Sequence, residues 1–335
     1  MSEQQPVDDM WAAFEPGPSE VDEEASLDSL AALQREEMAR QAELFGAHDP
    51  FIPAATKYGV MPSTVWPLDH QDRYDNELRR AVGDSGAARQ GALKARHSPR
   101  DMYKTHASIF SPAVAQWIVN LYTVPGDLVF DPFAGGGTRA IMAAKSGRQY
   151  LGIELRQEEV EATLARVAKA GAEGVTVLEG DAMNAAELVG VAKADFLYTC
   201  PPYWNLERYG GGAFDLSEMT WPRFEAALFR VACEAWTILK PGARAVWVTG
   251  LHRHAGTGAL AHIPRAVAQA HEAAGFDYVD EAILHHKNNG ALLRVGNFDR
   301  GKRLLVRTHE YVQVFKRNSE PVARATTQGG QGDAQ

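Results

Sequence analysis

The chain has 335 residues, 43 acidic against 34 basic side chains for a formal charge of -9, 45% hydrophobic residues and two cysteines. That is the composition of an ordinary globular protein, with room for one large α/β domain or two modest ones. Cys200 and Cys233 are too few for a disulfide framework or a Cys-only zinc site, no Cys/His cluster has ligand spacing, and no stretch approaches the roughly 18 apolar residues of a membrane span.

Residues 1–24 are acidic, contain prolines and lack periodic apolar positions, which predicts a disordered arm. The start, MSEQQPVDDMW, has neither the basic flank nor the apolar run of a signal peptide, so the expected location is the cytoplasm. Residues 1–50 hold thirteen Asp/Glu and two Arg, so the acidic average belongs to this end and the rest of the chain is close to neutral. Within residues 25–104, Leu27, Leu30, Leu33, Met38 and Leu44 fall near one helical face. This predicts an amphipathic helix that docks or pairs, as in a homo-oligomer. Pro-, Gly- and Arg-rich sequence then predicts irregular structure as far as Lys104.

From Ser111 a regular alternation begins. SPAVAQWIVNLYT reads as a helix, LVFD as a buried strand, TRAIMAAKSG as a helix, QYLGIEL as a strand, RQEEVEATLARVAKAG as a helix and VTVLEGD as a third strand. A short helix at 185–191, the strand DFLYT, a long helix at 221–239, the strand ARAVWVTG and the helix IPRAVAQAHEAAG follow. YVDEAILHHK and RTHEYVQVFKR come last and succeed each other without a helix. Strands and helices alternating over short connections predict an α/β fold with a mostly parallel, doubly wound sheet and an antiparallel edge hairpin. Residues 318–335 read as a disordered tail.

The first strand of this alternation ends in Asp131-Pro132-Phe133-Ala134-Gly135-Gly136-Gly137-Thr138 and enters a helix. Glycines there permit a tight turn and close approach to a ligand, and a helix N-terminus offers amide donors. A phosphate loop would need Lys-Ser/Thr after the last glycine, and a dinucleotide fingerprint would need G-x-G-x-x-G; neither is present. A turn without a ligand stays open. Glu154 and Asp181 close the second and third strands of the alternation, and each alone could be a helix cap. Together with Asp131 they line the carboxyl edge of the predicted sheet. A carboxylate can take both ribose hydroxyls at Glu154 and an adenine amino group at Asp181. This is an adenosine pocket without a pyrophosphate site, which fits S-adenosyl-L-methionine.

The fourth strand ends Thr199-Cys200-Pro201-Pro202-Tyr203-Trp204. Two prolines cannot continue a central strand, so they form a rigid extended turn whose carbonyls stay free to accept. Acceptors at residue 200 and at the Pro201 carbonyl suit an exocyclic amino group, whose lone pair is otherwise delocalised into its ring. Tyr203 would stack on that base, a contact worth on the order of 1–3 kcal/mol.

These motifs resemble those of the S-adenosylmethionine-dependent DNA amino-methyltransferases that act at adenine N6 or cytosine N4, over roughly residues 105–317. DPFAGGGT resembles the family's cofactor loop, TCPPYW its catalytic tetrapeptide, THASIFSPAVAQWIV its entry helix and THEYVQVFK its closing strand. TCPPYWNLE-like turns also occur in methylases of bacterial viruses. The resemblance implies a Rossmann-like class I methyltransferase domain. It puts Cys200, Pro201, Pro202 and Tyr203 at the catalytic turn, and Phe110, Asp131, Phe133, Gly135, Gly137, Thr138, Glu154 and Asp181 around the cofactor. DNA is the implied partner, with no metal. Cys200 departs from the usual Asp, Asn or Ser; its size is nearest Ser, which leans toward N4. A covalent role for this thiol is the lesser route, because C5 enzymes place Cys differently. Between Leu284 and Arg317 eight basic residues face two acidic ones, so Lys287, Arg294 and Arg303 are expected to hold DNA, with Trp204 beside the base. The segment 205–220, with three consecutive glycines, is a candidate lid. Methylation of RNA or of a protein glutamine, and a non-catalytic binding module, are the alternative readings.

Overall fold

The computed structural model describes residues 64–69, 110–206, 208–254, 257–287, 305 and 307–318. All of these belong to the unit Ser63–Gln335. The expected acidic arm, amphipathic helix and C-terminal tail lie outside the described residues, as do Arg294, Arg303 and the side chain of Lys287.

Ten strands and six α-helices are described. The strands are β1 (Val65–Asp69), β2 (Leu128–Asp131), β3 (Gln149–Glu154), β4 (Val175–Glu179), β5 (Ala194–Thr199), β6 (Leu239–Thr249), β7 (His252–Arg253), β8 (Leu260–Ala261), β9 (Phe276–Lys287) and β10 (His309–Arg317). The helices are α1 (Pro112–Tyr122), α2 (Thr138–Lys145), α3 (Gln157–Lys169), α4 (Ala185–Val189), α5 (Trp221–Ile238) and α6 (Ile263–Ala274). Eight strands form one sheet in the order β1-β9-β10-β6-β5-β2-β3-β4, and β7 pairs with β8. Strands β2 to β6 run parallel to one another, while β10 inserts antiparallel between β6 and β9. The fold is the expected Rossmann-like α/β arrangement, with its antiparallel hairpin β9–β10 on one side. Outside that hairpin the sheet gains β1, parallel to β9. Its Pro-rich surroundings predict irregular structure instead, yet an edge strand tolerates Pro67, having no second neighbour to receive an N–H.

Side-chain alternation along the central strands feeds two apolar layers. Leu197, Ala245, Trp247 and Phe315 point to one face and pack with Phe224, Leu228, Val231 and Val267 of α5 and α6. Phe196, Tyr198, Val246, Val248, Val312 and Val314 point to the other, against Ile118, Ile141 and Val160 of α1, α2 and α3. A period of two in the strands and of 3.6 in the helices is what puts both stripes inward. Each fully buried Val, Leu, Ile or Phe contributes about 1.5–3 kcal/mol by leaving water. Prolines sit in the first turns of α1, α5 and α6, where a missing N–H costs nothing, and Ser111 Oγ caps α1 by accepting from the Val114 N–H at 3.3 Å. Among the described residues no helix is long and apolar enough to cross a membrane.

One core histidine carries a measurable signature. His271 of α6 stacks on Phe315, with ring centroids 4.2 Å apart, and meets Trp247 edge-on at 4.7 Å. Burial lowers its pKa to about 4, only partly opposed by its Nδ1 contact with the Val267 carbonyl. The unfolded chain therefore binds a proton that the folded one refuses, so stability falls as pH drops from about 6.5 toward 4. Urea unfolding at pH 5 should show a loss of about 2 kcal/mol relative to pH 7.5 that the His271→Leu variant does not share. An equal pH response in both proteins would show that His271 titrates freely in the native state.

Candidate active site

The two turns singled out in the sequence leave neighbouring strand tips. Strands β2 and β5 are parallel and adjacent, with Phe130 opposite Leu197. The glycine turn after Asp131 and the Pro-Pro turn after Thr199 therefore start from the same carboxyl edge of the sheet, the edge at which open α/β folds bind ligands. A bond from Thr199 Oγ1 to Asp131 Oδ1, 2.6 Å long, ties their roots together.

Asp131 is fully buried. Besides Thr199, Oδ1 accepts from the Phe133 N–H at 3.0 Å, and Oδ2 accepts from Arg139 Nε at 2.6 Å and from the Tyr150 hydroxyl at 2.8 Å. A carboxylate has about four acceptor sites, and four donors occupy them. These four bonds fill the usual acceptor capacity of the carboxylate and hold the shape of the turn. Arg139 completes the hub by donating to the carbonyls of Phe133 at 2.5 Å and Ala134 at 3.4 Å. Burial works against its charge, but Asp131 outweighs that and pushes its pKa up.

The glycine turn is held from behind by α3. Thr163 Oγ1 donates to the Gly135 carbonyl at 2.7 Å, and Arg166 donates to that of Gly136 at 2.8 Å. A Cβ on Gly137, whose φ is 80°, would lie 2.7 Å from the Thr163 methyl. Thr138 starts α2 and is buried. By contrast, Gly135 has φ 51°, and the nearest atom to a Cβ there would be the Phe133 carbonyl oxygen at 3.8 Å, so that side of the turn is open. Phe133 is half-buried and meets Trp247 edge-on; Phe110 lies over the Arg139 guanidinium at 5.6 Å and edge-on to Tyr198.

Glu154, at the tip of β3, accepts from the Gly135 N–H through Oε2 and from the Arg156 N–H through Oε1, both at 3.1 Å. Each oxygen keeps a further acceptor site, unlike those of Asp131. Burial raises the Glu154 pKa, against the pull of the Arg156 N–H and side-chain charge and of the Gly135 N–H, so added donors such as ribose hydroxyls would favour its charged form. Asp181 follows β4 and caps a short 3-10 turn by accepting from the Met183 N–H at 2.9 Å. These acceptors, with the open face at Gly135, fit the ribose and adenine of S-adenosylmethionine.

On the other turn Pro201 is buried, while Cys200, Pro202 and Tyr203 are half-buried. Burial pushes the Cys200 thiol up to about 12, against the partial relief of the nearby Arg139 charge. A thiol held protonated in this way is a poor nucleophile, which disfavours the covalent route. The Tyr203 ring packs on Gly250, where a Cβ would approach it to 2.8 Å, and its hydroxyl reaches Glu310 Oε1 of β10 at 2.7 Å. Trp204 departs from the sequence reading. It is only 6% exposed, adopts φ 50° and donates its indole N–H to the Met219 carbonyl at 2.8 Å. It anchors the turn from inside the core rather than offering a surface to a base. The candidate lid is also tied down: Gly211 N donates to Asp215 at 3.0 Å, and a Cβ there would meet Leu155 at 2.6 Å.

Sequence reasoning missed Arg139, Tyr150, Thr199, Thr163, Arg166 and Glu310, whose types are common and whose partners, except those of Arg139, are distant in the chain. It also missed a group of basic side chains beside the Pro-Pro turn. His252 and His254 lie near the Trp204 ring; the pKa of His252 is lowered by burial and then by the charges of Arg307 and His254, and that of Arg307 by burial and then by Arg253.

A family model described as a DNA methylase matches residues 13–165, a span that includes the glycine turn and Glu154 and ends before the Pro-Pro turn. The type II methyltransferase M.XycI of Xanthomonas campestris pv. cyanopsidis is 33% identical over 87 residues, 26% of this chain and 29% of that protein. M.Cfr9I of Citrobacter freundii, another type II methyltransferase, is 33% identical over 94 residues, 28% and 31% of the two chains. The DNA adenine methyltransferase YhdJ of Escherichia coli K12 is 37% identical over 67 residues, 20% and 23%. The alignments thus span less than a third of the length of each relative.

Removing one partner of a buried charge pair strands the other, at a cost of about 3–5 kcal/mol. Asp131→Ala should lower the unfolding free energy by that amount in urea titrations. Unchanged stability with selective loss of cofactor affinity would instead make Asp131 a ligand. Cys200 in the folded protein should also resist iodoacetamide at pH 8; rapid labelling would contradict its raised pKa.

Proposed function

We propose that this chain methylates DNA, as the DNA methylase family model matching residues 13–165 suggests, at the exocyclic amino group of a cytosine (N4) or adenine (N6) turned out of the helix. The observation that carries this reading is the adjacency of the two turns on β2 and β5, joined by the bond between Thr199 and Asp131. S-adenosylmethionine, when bound, supplies an electrophilic methyl group. Glu154 would hold its ribose hydroxyls and Asp181 its adenine amino group, with Gly135, Gly137, Thr138, Phe133 and Phe110 shaping the site. These residues belong to a catalytic domain over 105–317.

The Pro201 carbonyl and the Cys200 sulfur accept the two hydrogens of the target amino group. Holding both favours a pyramidal nitrogen and localises its lone pair. The half-buried Tyr203 ring, fixed at its hydroxyl by Glu310, stacks on the base and offsets part of the cost of extrusion. The methylated nitrogen releases its extra proton to water, so no general base is required. Arg253 and Arg307 supply positive charge beside the turn for the DNA backbone, and Lys287, Arg294, Arg303 and residues 25–104 extend that contact. The protein acts in the cytoplasm.

Incubation with labelled S-adenosylmethionine and unmethylated DNA should transfer label, and nucleoside mass spectrometry should find N4-methylcytosine or N6-methyladenine. Label in RNA or protein and none in DNA would overturn the substrate. Tyr203→Ala should cut turnover by about 5- to 150-fold while leaving cofactor affinity within about twofold, given a stacking contact worth about 1–3 kcal/mol. A loss confined to cofactor binding would reassign that residue.

A further inference from the structure

A directed hydrogen-bond chain runs from the catalytic turn to the β9–β10 hairpin. The Cys200 thiol lies 3.6 Å from the Tyr203 hydroxyl and donates to it. That hydroxyl lies 2.7 Å from Glu310 Oε1, and Glu310 Oε2 lies 2.9 Å from His286 Nε2. An ionised carboxylate can only accept, so the Tyr203 hydrogen points to Glu310 and the His286 Nε2 hydrogen points to it from the other side. The Tyr203 oxygen then presents lone pairs to Cys200, whose single hydrogen is directed inward. What the thiol leaves facing away from Tyr203 is sulfur lone pairs.

We propose that Glu310 is a positioning residue that acts through the Tyr203 hydroxyl to fix the polarity of this chain, holding Cys200 as an acceptor toward the target amino group. The inference rests on the reading of Cys200 and Pro201 as the amino-group clamp. A thiol free to rotate would spend part of its time aiming S–H at the substrate N–H, donor against donor. Glu310 removes that orientation. Its carboxylate is placed by the sheet itself: in the β9–β10 register Glu310 pairs with Leu284, and the His286 N–H donates to the Thr308 carbonyl at 2.7 Å.

Glu310→Gln reverses the polarity with little change of shape. With His286 donating, the amide oxygen turns to the imidazole and the NH2 group faces Tyr203, whose own hydrogen must then turn toward Cys200. The test uses the full-length protein in a Cys233→Ala background, so that the infrared S–H stretch reports Cys200 alone. The band should sit at the lowered frequency of a hydrogen-bonded thiol and move up in both Glu310→Gln and Tyr203→Phe, the second variant guarding against a folding defect in the first. Turnover on unmethylated DNA should fall about tenfold or more in Glu310→Gln, with cofactor affinity unchanged. In a Cys200→Ala background the same substitution should cost less than twofold, since the group it orients is gone. An S–H band that does not move in either variant, or a full tenfold loss that persists without the thiol, would overturn the proposal. A shifted band in a protein that methylates no DNA would uphold the chain's polarity and sink the methylation reading instead.

Discussion

Four donors converging on the buried Asp131 carboxylate set the architecture of the catalytic edge. Tyr150 comes from β3, Thr199 from β5, Arg139 from α2, and the Phe133 N–H from the turn itself. A charge out of water is tolerable only when its acceptor sites are filled and a counter-charge is near, and here both conditions hold. The consequence is mechanical as well as energetic. The glycine turn and the Pro-Pro turn share a root, so the proposed cofactor loop and the proposed acceptor clamp are set relative to each other by the fold. Such preorganisation reduces the reorganisation needed at the moment of reaction.

Much of this fold is legible in the sequence because both periods are strong. Alternation along DFLYT and ARAVWVT, the helical stripe of WPRFEAALFRVACEAWTI, and glycine or proline at element ends place the helices and strands β2 to β6, β9 and β10 within a few residues of their observed bounds, whereas β1, β7 and β8 go unread. The two turns are legible for a different reason: consecutive glycines and consecutive prolines are restrictive chemistry, and few backbone conformations satisfy them. Arg139, Tyr150 and Thr199 carry no such mark. Each is an ordinary residue on a regular element, and only the pairing of β2 with β3 and β5 brings them to one carboxylate. Trp204 misled for the converse reason, since an aromatic next to Pro-Pro-Tyr suggests a stacking surface while its indole is drawn into the core by Met219 and Trp221.

The family match and the geometry cover complementary parts of the site. The matched span contains the glycine turn and Glu154 but stops before Cys200, so the proposed methyl-acceptor side rests on the resemblance of TCPPYW and on the adjacency of β2 and β5. There the Pro-Pro turn is backed by Trp204 and bordered by His252, Arg253, His254 and Arg307. Burial and like charge lower the pKa of His252 and of Arg307, an arrangement that a nearby anion would relieve. Phosphate is the anion that an extruded nucleotide brings with it, and contacts to it fix register without reading sequence.

The departure at position 200 becomes intelligible once the direction of its hydrogen bonds is considered. A thiol is a weaker acceptor than a carboxylate, amide or hydroxyl oxygen, so a clamp built on sulfur starts at a disadvantage. In this molecule the sulfur donates to a phenol that itself donates to a carboxylate 107 residues further along the chain. Each bond in such a series polarises the next, by roughly 10–30% in condensed-phase estimates, and a series ending on an anion shifts electron density toward its donor end. The sulfur lone pairs are the beneficiaries. Glu310 therefore supplies through two bonds part of the negative character that an Asp at position 200 would supply directly, and it does so without placing a second buried charge beside the filled carboxylate of Asp131.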